Sequence, residues 1–157
     1  MKNVLIFIGC IIICYAAGGI GTIFTTSSIP TWYAALHKPP LNPPNWVFGP
    51  VWTLLYTLMA IAIYLIIKKG FEEDIIKIST GIFAAQLVLN TLWSVVFFGA
   101  RTTFAPIFII AALWLSILAC IILFWSISKP ASVMMMPYIL WVSFATYLNI
   151  GVYVLNR

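Results

Sequence analysis

Charge is what this chain lacks. Eight Lys/Arg and three Asp/Glu make up 7% of 157 residues, where water-soluble chains carry about 25% charged residues. So few charges cannot solvate a globule of this size, which excludes a soluble enzyme, and the high apolar content excludes a disordered chain. Acids are scarcest: Glu72, Glu73 and Asp74 are the only three, and they are adjacent in sequence. No carboxylate is therefore left inside an apolar run to carry a proton, which argues against a small proton-coupled drug exchanger. Histidine occurs once, at His37, so neither a Ser-His-Asp triad nor a zinc cluster can be assembled, and no metal site is expected. Three cysteines cannot all pair with one another, which excludes a disulfide-stapled secreted domain. The net charge of +5 contains no Lys/Arg cluster larger than Lys68-Lys69, too little for a nucleic-acid footprint.

What is present is hydrocarbon. Apolar residues make up 64% of the chain and the mean hydropathy is +1.11, so the solvent is lipid. The charges divide the chain into uncharged runs, and five of them, Val4–Phe24, Val47–Ile67, Ile78–Phe98, Phe104–Trp125 and Met134–Leu155, reach the roughly 20 residues that cross a bilayer core. They are continuously apolar rather than alternating, which predicts helices and not a β-barrel. The expected fold is all-α: one integral membrane domain over 1–157, with helices at about 4–25, 47–68, 76–99, 104–126 and 133–155. The first run extends too far for a signal-peptide core and reads as an uncleaved helix. Between the first two helices lies a Pro-rich lid loop, about 26–46, whose His-Lys-Pro-Pro-Leu-Asn-Pro-Pro centre cannot be helical. Lys2, Lys68, Lys69, Lys77 and Lys129 fall on one side of the membrane and Lys38, Arg101 and Arg157 on the other, which favours a cytoplasmic N-terminus by the positive-inside rule. The short basic N-terminus fits a bacterial inner membrane.

Polar residues inside the spans are few and patterned. Gln86, Asn90 and Trp93 share one face of the third helix; Tyr138, Trp141, Ala145, Leu148 and Asn149 form a second stripe on the fifth, and Trp52 and Tyr56 a shorter one on the second. The amides can serve as ties between helices or as ligand contacts. Of seven tryptophans, Trp32, Trp46 and Trp125 suit an interfacial belt, whereas Trp52, Trp93, Trp114 and Trp141 lie deeper. The stripes converge beneath the long loop. A cavity lined by indoles and a few amides suits a flat, mostly apolar ligand of tetrapyrrole size. Lys38 and Arg101, on the same side, can meet propionates at its rim or simply lipid headgroups.

Three blocks carry a family resemblance: Trp32–Tyr56 (WYAALHKPPLNPPNWVFGPVWTLLY), Ala85–Arg101 (AQLVLNTLWSVVFFGAR) and Pro137–Asn149 (PYILWVSFATYLN). The chain resembles the TspO/MBR family of tryptophan-rich sensory and translocator proteins over essentially its whole length. The resemblance implies a homodimer that binds porphyrins, sterol-like lipids and benzodiazepine-type drugs beneath the first loop. By motif it implies that Tyr33, Pro44 and Trp46 belong to the lid, that Trp52, Asn90, Trp93, Trp141, Ala145 and Leu148 line the pocket, and that Arg101 sits at the rim. The resemblance to light-dependent porphyrin-degrading bacterial members further implies Trp52 and Trp141 as the candidate catalytic residues. Two departures stand out. Ala105 occupies an early fourth-helix position where vertebrate relatives have tryptophan, and their C-terminal cholesterol motif has only the loose counterpart Leu148-x4-Tyr153-x3-Arg157.

The resulting reading is a membrane receptor or sensor for porphyrin-like ligands, with light-dependent porphyrin degradation as a further activity. The porphyrin is ligand or substrate, and no resident cofactor is required. The alternative is a carrier of porphyrins or lipids without bond chemistry, which needs alternating exposure of its site. A signalling module that ligand rearranges is a third reading. Gly81-x3-Ala85 and Ala17-x3-Gly21 are candidate dimer contacts. Cys10 and Cys14 share a helix face and are assigned packing only, and His37 is read as a polar loop residue rather than a haem ligand.

Overall fold

In the computed structural model, which describes residues 2–157, each apolar run is a helix: α1 (Lys2–Ser28), α2 (Phe48–Ile67), α3 (Asp74–Ser94), α4 (Ala105–Ile127) and α5 (Lys129–Leu155). No strand occurs among the described residues. All five helices are long and apolar enough to cross a membrane, and the chain is a multi-pass integral membrane protein. The helix starts follow local chemistry. Pro106 and Pro130 sit in the first turns of α4 and α5, where a missing N–H costs nothing, and Asp74 meets the positive end of α3.

Short connections make sequence neighbours antiparallel. α1 packs on α2 and α3, α2 on α5, α5 on α4, and α4 on α3, closing a ring across which α2 also touches α3. Cys10, Cys14, Gly18 and Gly21 form the buried edge of α1. A Cβ on Gly18 would lie 2.5 Å from Tyr56 Cε2, and one on Gly21 3.1 Å from Ser94 Oγ. The small residues of α1 are thus used inside the protomer, and Thr91 Oγ1 donates to the Ala17 carbonyl at 3.2 Å. Gly81 and Ala85 instead lie exposed on α3.

The first helix does not stop near residue 25. It continues from α1 through a π-helical turn, Ile29–Tyr33, and helical backbone persists to Ala35. The Thr/Ser-rich stretch beyond the apolar run satisfies itself on the helix: Thr22, Thr25, Thr26, Ser27 and Thr31 all donate to carbonyls three or four residues back. Pro30 falls within the π turn, whose wider hydrogen-bond spacing accommodates its missing donor. A second π turn, Val95–Gly99, ends α3. The two are tied where Ser28 Oγ donates to the Phe98 carbonyl at 2.7 Å, a buried bond. The lid expected over 26–46 is therefore a shorter strap, Leu36–Pro44, followed by the tight turn Asn45–Val47.

Candidate functional site

The polar stripes meet in one hydrogen-bonded chain. Tyr56 on α2 donates to Asn90 Oδ1 on α3 at 2.6 Å, Asn90 Nδ2 donates to the Tyr138 hydroxyl on α5 at 3.0 Å, and Tyr138 donates back to Gln86 Oε1 at 3.0 Å. Gln86 Nε2 then points at Met59 Sδ, 3.8 Å away. Tyr56, Asn90, Tyr138 and Gln86 are all buried. An amide or phenol left unpaired in hydrocarbon costs several kcal/mol, so each finds its partner on another helix. Among the described residues, Ser79 Oγ is the sole buried side-chain polar atom without one.

A second tie lies nearer the strap. Trp93 Nε1 donates to Asn149 Oδ1 at 3.0 Å, and Asn149 Nδ2 donates to the Thr103 carbonyl at 3.0 Å. Asn90 and Asn149 thus spend both ends of their amides on protein, and in this structure they act as ties between helices.

The aromatic side chains pack around these ties. Trp52 stacks on Tyr56, with centroids 5.5 Å apart, and meets Tyr138 edge-on at 6.2 Å. Trp141 meets Phe48 edge-on at 6.0 Å. Trp93 stacks on Phe97 at 5.2 Å and packs against both the main core and a smaller aromatic cluster of Tyr33, Phe97, Phe98 and Val152. Trp52, Trp93, Trp141 and Ala145 remain half-buried, whereas Leu148 is buried. Such edge-to-face and offset contacts among rigid rings are the geometry in which a further flat ring system gains stacking energy.

The strap residues divide. Tyr33 is buried and donates to Asn42 Oδ1 at 2.8 Å, fixing the strap to the end of the first helix. Pro44 and Trp46 face outward, the latter 74% exposed. Lys38 places its ammonium 4.9 Å from the Tyr33 ring centroid and donates to the carbonyls of Leu36 and Ala34. Arg101 is exposed and adopts a left-handed backbone at φ 54°, at the turn that reverses the chain into α4. The structure therefore joins Trp52 to Asn90 through Tyr56 and Tyr138, joins Tyr33 to Trp93 through Phe97, seats Trp141 on Phe48 and Phe144, and leaves Pro44, Trp46 and Arg101 outside these groups. A separate groove of about 430 Å³ runs along the outer seam of α4 and α5, lined by Ala111, Trp114, Leu115, Ser143 and Thr146. There Trp114 Nε1 donates to Ser143 Oγ at 2.8 Å.

Several contributors escaped the sequence reading. Gly18 seats the Tyr56 ring, and its signal was the i, i+4 continuation of Cys10 and Cys14. Phe48 supports Trp141. Asn42 and Asn156 hold the strap, and no periodicity marks residues that bond to loop backbone.

Five apolar helices ringed around a buried hydrogen-bonded layer, with half-buried tryptophans packed against the core, define a polytopic helical membrane protein. The TspO/MBR family pattern matches residues 10–155, and the chain belongs to that family. It is 39% identical over 155 residues to the tryptophan-rich protein TspO of Chlorobaculum tepidum, covering 99% of this chain and 98% of that one. It is 42% identical over 154 residues to the protein of the same name in Archaeoglobus fulgidus, covering 98% and 99%. The Homo sapiens translocator protein is 35% identical over 132 residues, covering 83% and 78%.

Proposed function

We propose that this protein is a membrane receptor that holds a porphyrin-type tetrapyrrole against the indoles beneath the strap. The observation that carries the reading is that Trp52, Trp93 and Trp141, from three different helices, all pack against one core cluster while each residue stays only half-buried. Flat indole faces supply stacking affinity. Family membership and a relative named tryptophan-rich sensory protein, from Cereibacter sphaeroides, support a sensor or receptor role in a cell membrane. Sterol-like lipids and benzodiazepine-type drugs are the expected competitors. Trp52 and Trp141 are the indoles assigned to react with the light-excited macrocycle. The reading includes a homodimer through the exposed Gly81–Ala85 face of α3, to be trapped by single cysteines along that face.

The test is a titration of protoporphyrin into wild-type and Trp52→Phe/Trp141→Phe protein, reading indole quenching in darkness and porphyrin absorbance after illumination in air. Saturable quenching with light-dependent loss only in wild type is the expected result. Undiminished loss in the double variant removes these indoles from the chemistry, and absence of saturable quenching removes the porphyrin. The name translocator protein, borne by the human relative, favours a second reading as a carrier. Porphyrin uptake into sealed proteoliposomes in darkness separates the two.

A further inference from the structure

The end of the bundle that carries the N-terminus has a groove of its own. α1 packs on α2, and where the start of one meets the end of the other lies a cavity of about 250 Å³, lined by Asn3, Val4 and Phe7 of α1 and Tyr64 of α2. Phe7 meets Tyr64 edge-on, with ring centroids 5.2 Å apart. The Lys68 ammonium stands 5.5 Å from the centroid of the same Tyr64 ring. Tyr64 follows Trp52 by twelve residues on α2, about 18 Å along the helix axis, so this groove is separate from the indole site.

Helical spacing orders the groove by polarity. Asn3 and Phe7 are one turn apart on α1, and Lys68 and Tyr64 are one turn apart at the end of α2. In each pair the polar member is nearer the chain boundary and the ring lies about 6 Å deeper. That is the order in which a phospholipid carries its headgroup and its acyl chains.

The charge at this end is uncommitted. Among the described residues the sole ion pair joins Lys77 to Asp74, 2.8 Å apart at the start of α3, so the exposed Lys68 and Lys69 have no carboxylate partner. Lys2 adds a third cation beside Asn3 in sequence, while Glu72 and Glu73 belong to the loop before α3. An ammonium resting over a ring keeps its charge and its donors for an anionic acceptor. A zwitterionic headgroup would bring its own ammonium toward Lys68 and Lys69, so charge complementarity selects an anion.

We propose that the α1–α2 groove binds one anionic phospholipid of the surrounding membrane, with an acyl chain along Val4, Phe7 and Tyr64 and the headgroup phosphate at Lys68 and the Asn3 amide. The site stands whether or not the indoles bind porphyrin.

The experiment is native mass spectrometry of the full chain in detergent, without porphyrin, titrated with dioleoyl phosphatidylglycerol or dioleoyl phosphatidylcholine. It compares wild type with Lys68→Gln, Lys129→Gln and Val4→Trp, all at exposed residues. Lys129 is the control, because its ammonium also stands 5.5 Å from a ring, that of Trp125, but at the junction of α4 and α5. Wild type is expected to bind its first phosphatidylglycerol about fivefold more tightly than phosphatidylcholine, the effect of one lysine near a membrane surface. Lys68→Gln should abolish that preference and Lys129→Gln should keep it. Val4→Trp, at a side chain 60% exposed, fills the groove from outside the core and should weaken the first binding of both lipids at least threefold. Equal binding of the two lipids to wild type overturns the proposal, as does a preference that survives Lys68→Gln. Equal loss in both lysine variants also overturns it, since the effect would then be diffuse surface charge. Wild-type binding by Val4→Trp removes the groove from the site. Displacement of phosphatidylglycerol by soluble glycerol phosphate would show an anion site with no role for the acyl chain, and it too overturns the proposal.

Discussion

Asn90→Leu is the perturbation that best separates an interhelical tie from a ligand contact. Leucine has the branched shape of asparagine and is somewhat larger, so no cavity is left behind and the cost is chiefly polar. Two hydrogen bonds are lost, from Tyr56 and to Tyr138, each worth about 0.6 kcal/mol on average between transmembrane helices. Tyr138 keeps Gln86 as an acceptor. Tyr56 keeps none, and its buried hydroxyl costs about 1–3 kcal/mol unpaired. The sum is about 2–4 kcal/mol, of which the orphaned hydroxyl supplies about 1–3 kcal/mol. Removing that hydroxyl as well should therefore recover stability: Asn90→Leu/Tyr56→Phe should be more stable than Asn90→Leu alone, with a coupling energy of about 2 kcal/mol. Reversible unfolding by SDS in mixed micelles, followed through tryptophan emission, measures all four corners of the cycle. Additive effects, with coupling below about 0.5 kcal/mol, would refute the reasoning. So would loss of porphyrin binding by Asn90→Leu at unchanged stability, since that result belongs to a residue touching ligand.

Gly18→Ala should destabilise by about 1–3 kcal/mol through overpacking, because the new methyl meets the Tyr56 ring, and the emission of the stacked Trp52 should shift with it. Gly81→Ala should act in the opposite direction in the monomer: nothing of its own protomer lies within 4 Å of the added methyl, so helix propensity gains about 0.5–1 kcal/mol in the same unfolding assay in dissociating detergent. Asn149→Leu orphans the Trp93 indole N–H and should cost about 1–3 kcal/mol, with a blue shift of the Trp93 contribution to emission. Trp46→Ala, at a side chain 74% exposed, should change stability by less than about 0.5 kcal/mol.

The bundle was legible because hydrocarbon imposes a single rule, that every backbone group be satisfied within its own helix. Uninterrupted apolar runs of helix-spanning length therefore located α2 to α5 within a few residues. The stripes on α2, α3 and α5 were legible for a related reason: amides and phenols in lipid must face partners, and helical spacing says which of them can. What periodicity could not decide was whether Asn90 and Asn149 face a ligand or each other's neighbours, because both outcomes place the same residues on the same face. The end of α1 was placed too early because the apolar run stops at Phe24, whereas the Thr and Ser hydroxyls that follow bond back to their own helix and let it continue. Asn156 and Gly151 were invisible for a different reason. Their partners are the backbone of His37 and the ring of Pro39, more than a hundred residues away in sequence.

The Tyr56–Asn90–Tyr138–Gln86 chain also constrains how the protein is made. Tyr138 follows Asn90 by 48 residues and Gln86 by 52. At translation rates of about 5–20 residues per second, α3 waits roughly 2–10 s for the phenol that accepts from one of its amides and donates to the other. During that interval α2 is already available and can engage Asn90 through Tyr56, while Gln86 has only the Met59 sulfur. Membrane insertion of the first four helices is thus a state with an unfinished polar layer, and synthesis of α5 is the step that completes it. A nascent chain stalled before residue 138 leaves the Asn90 Nδ2 and Gln86 Oε1 groups without the Tyr138 hydroxyl, whereas the finished chain buries all three together.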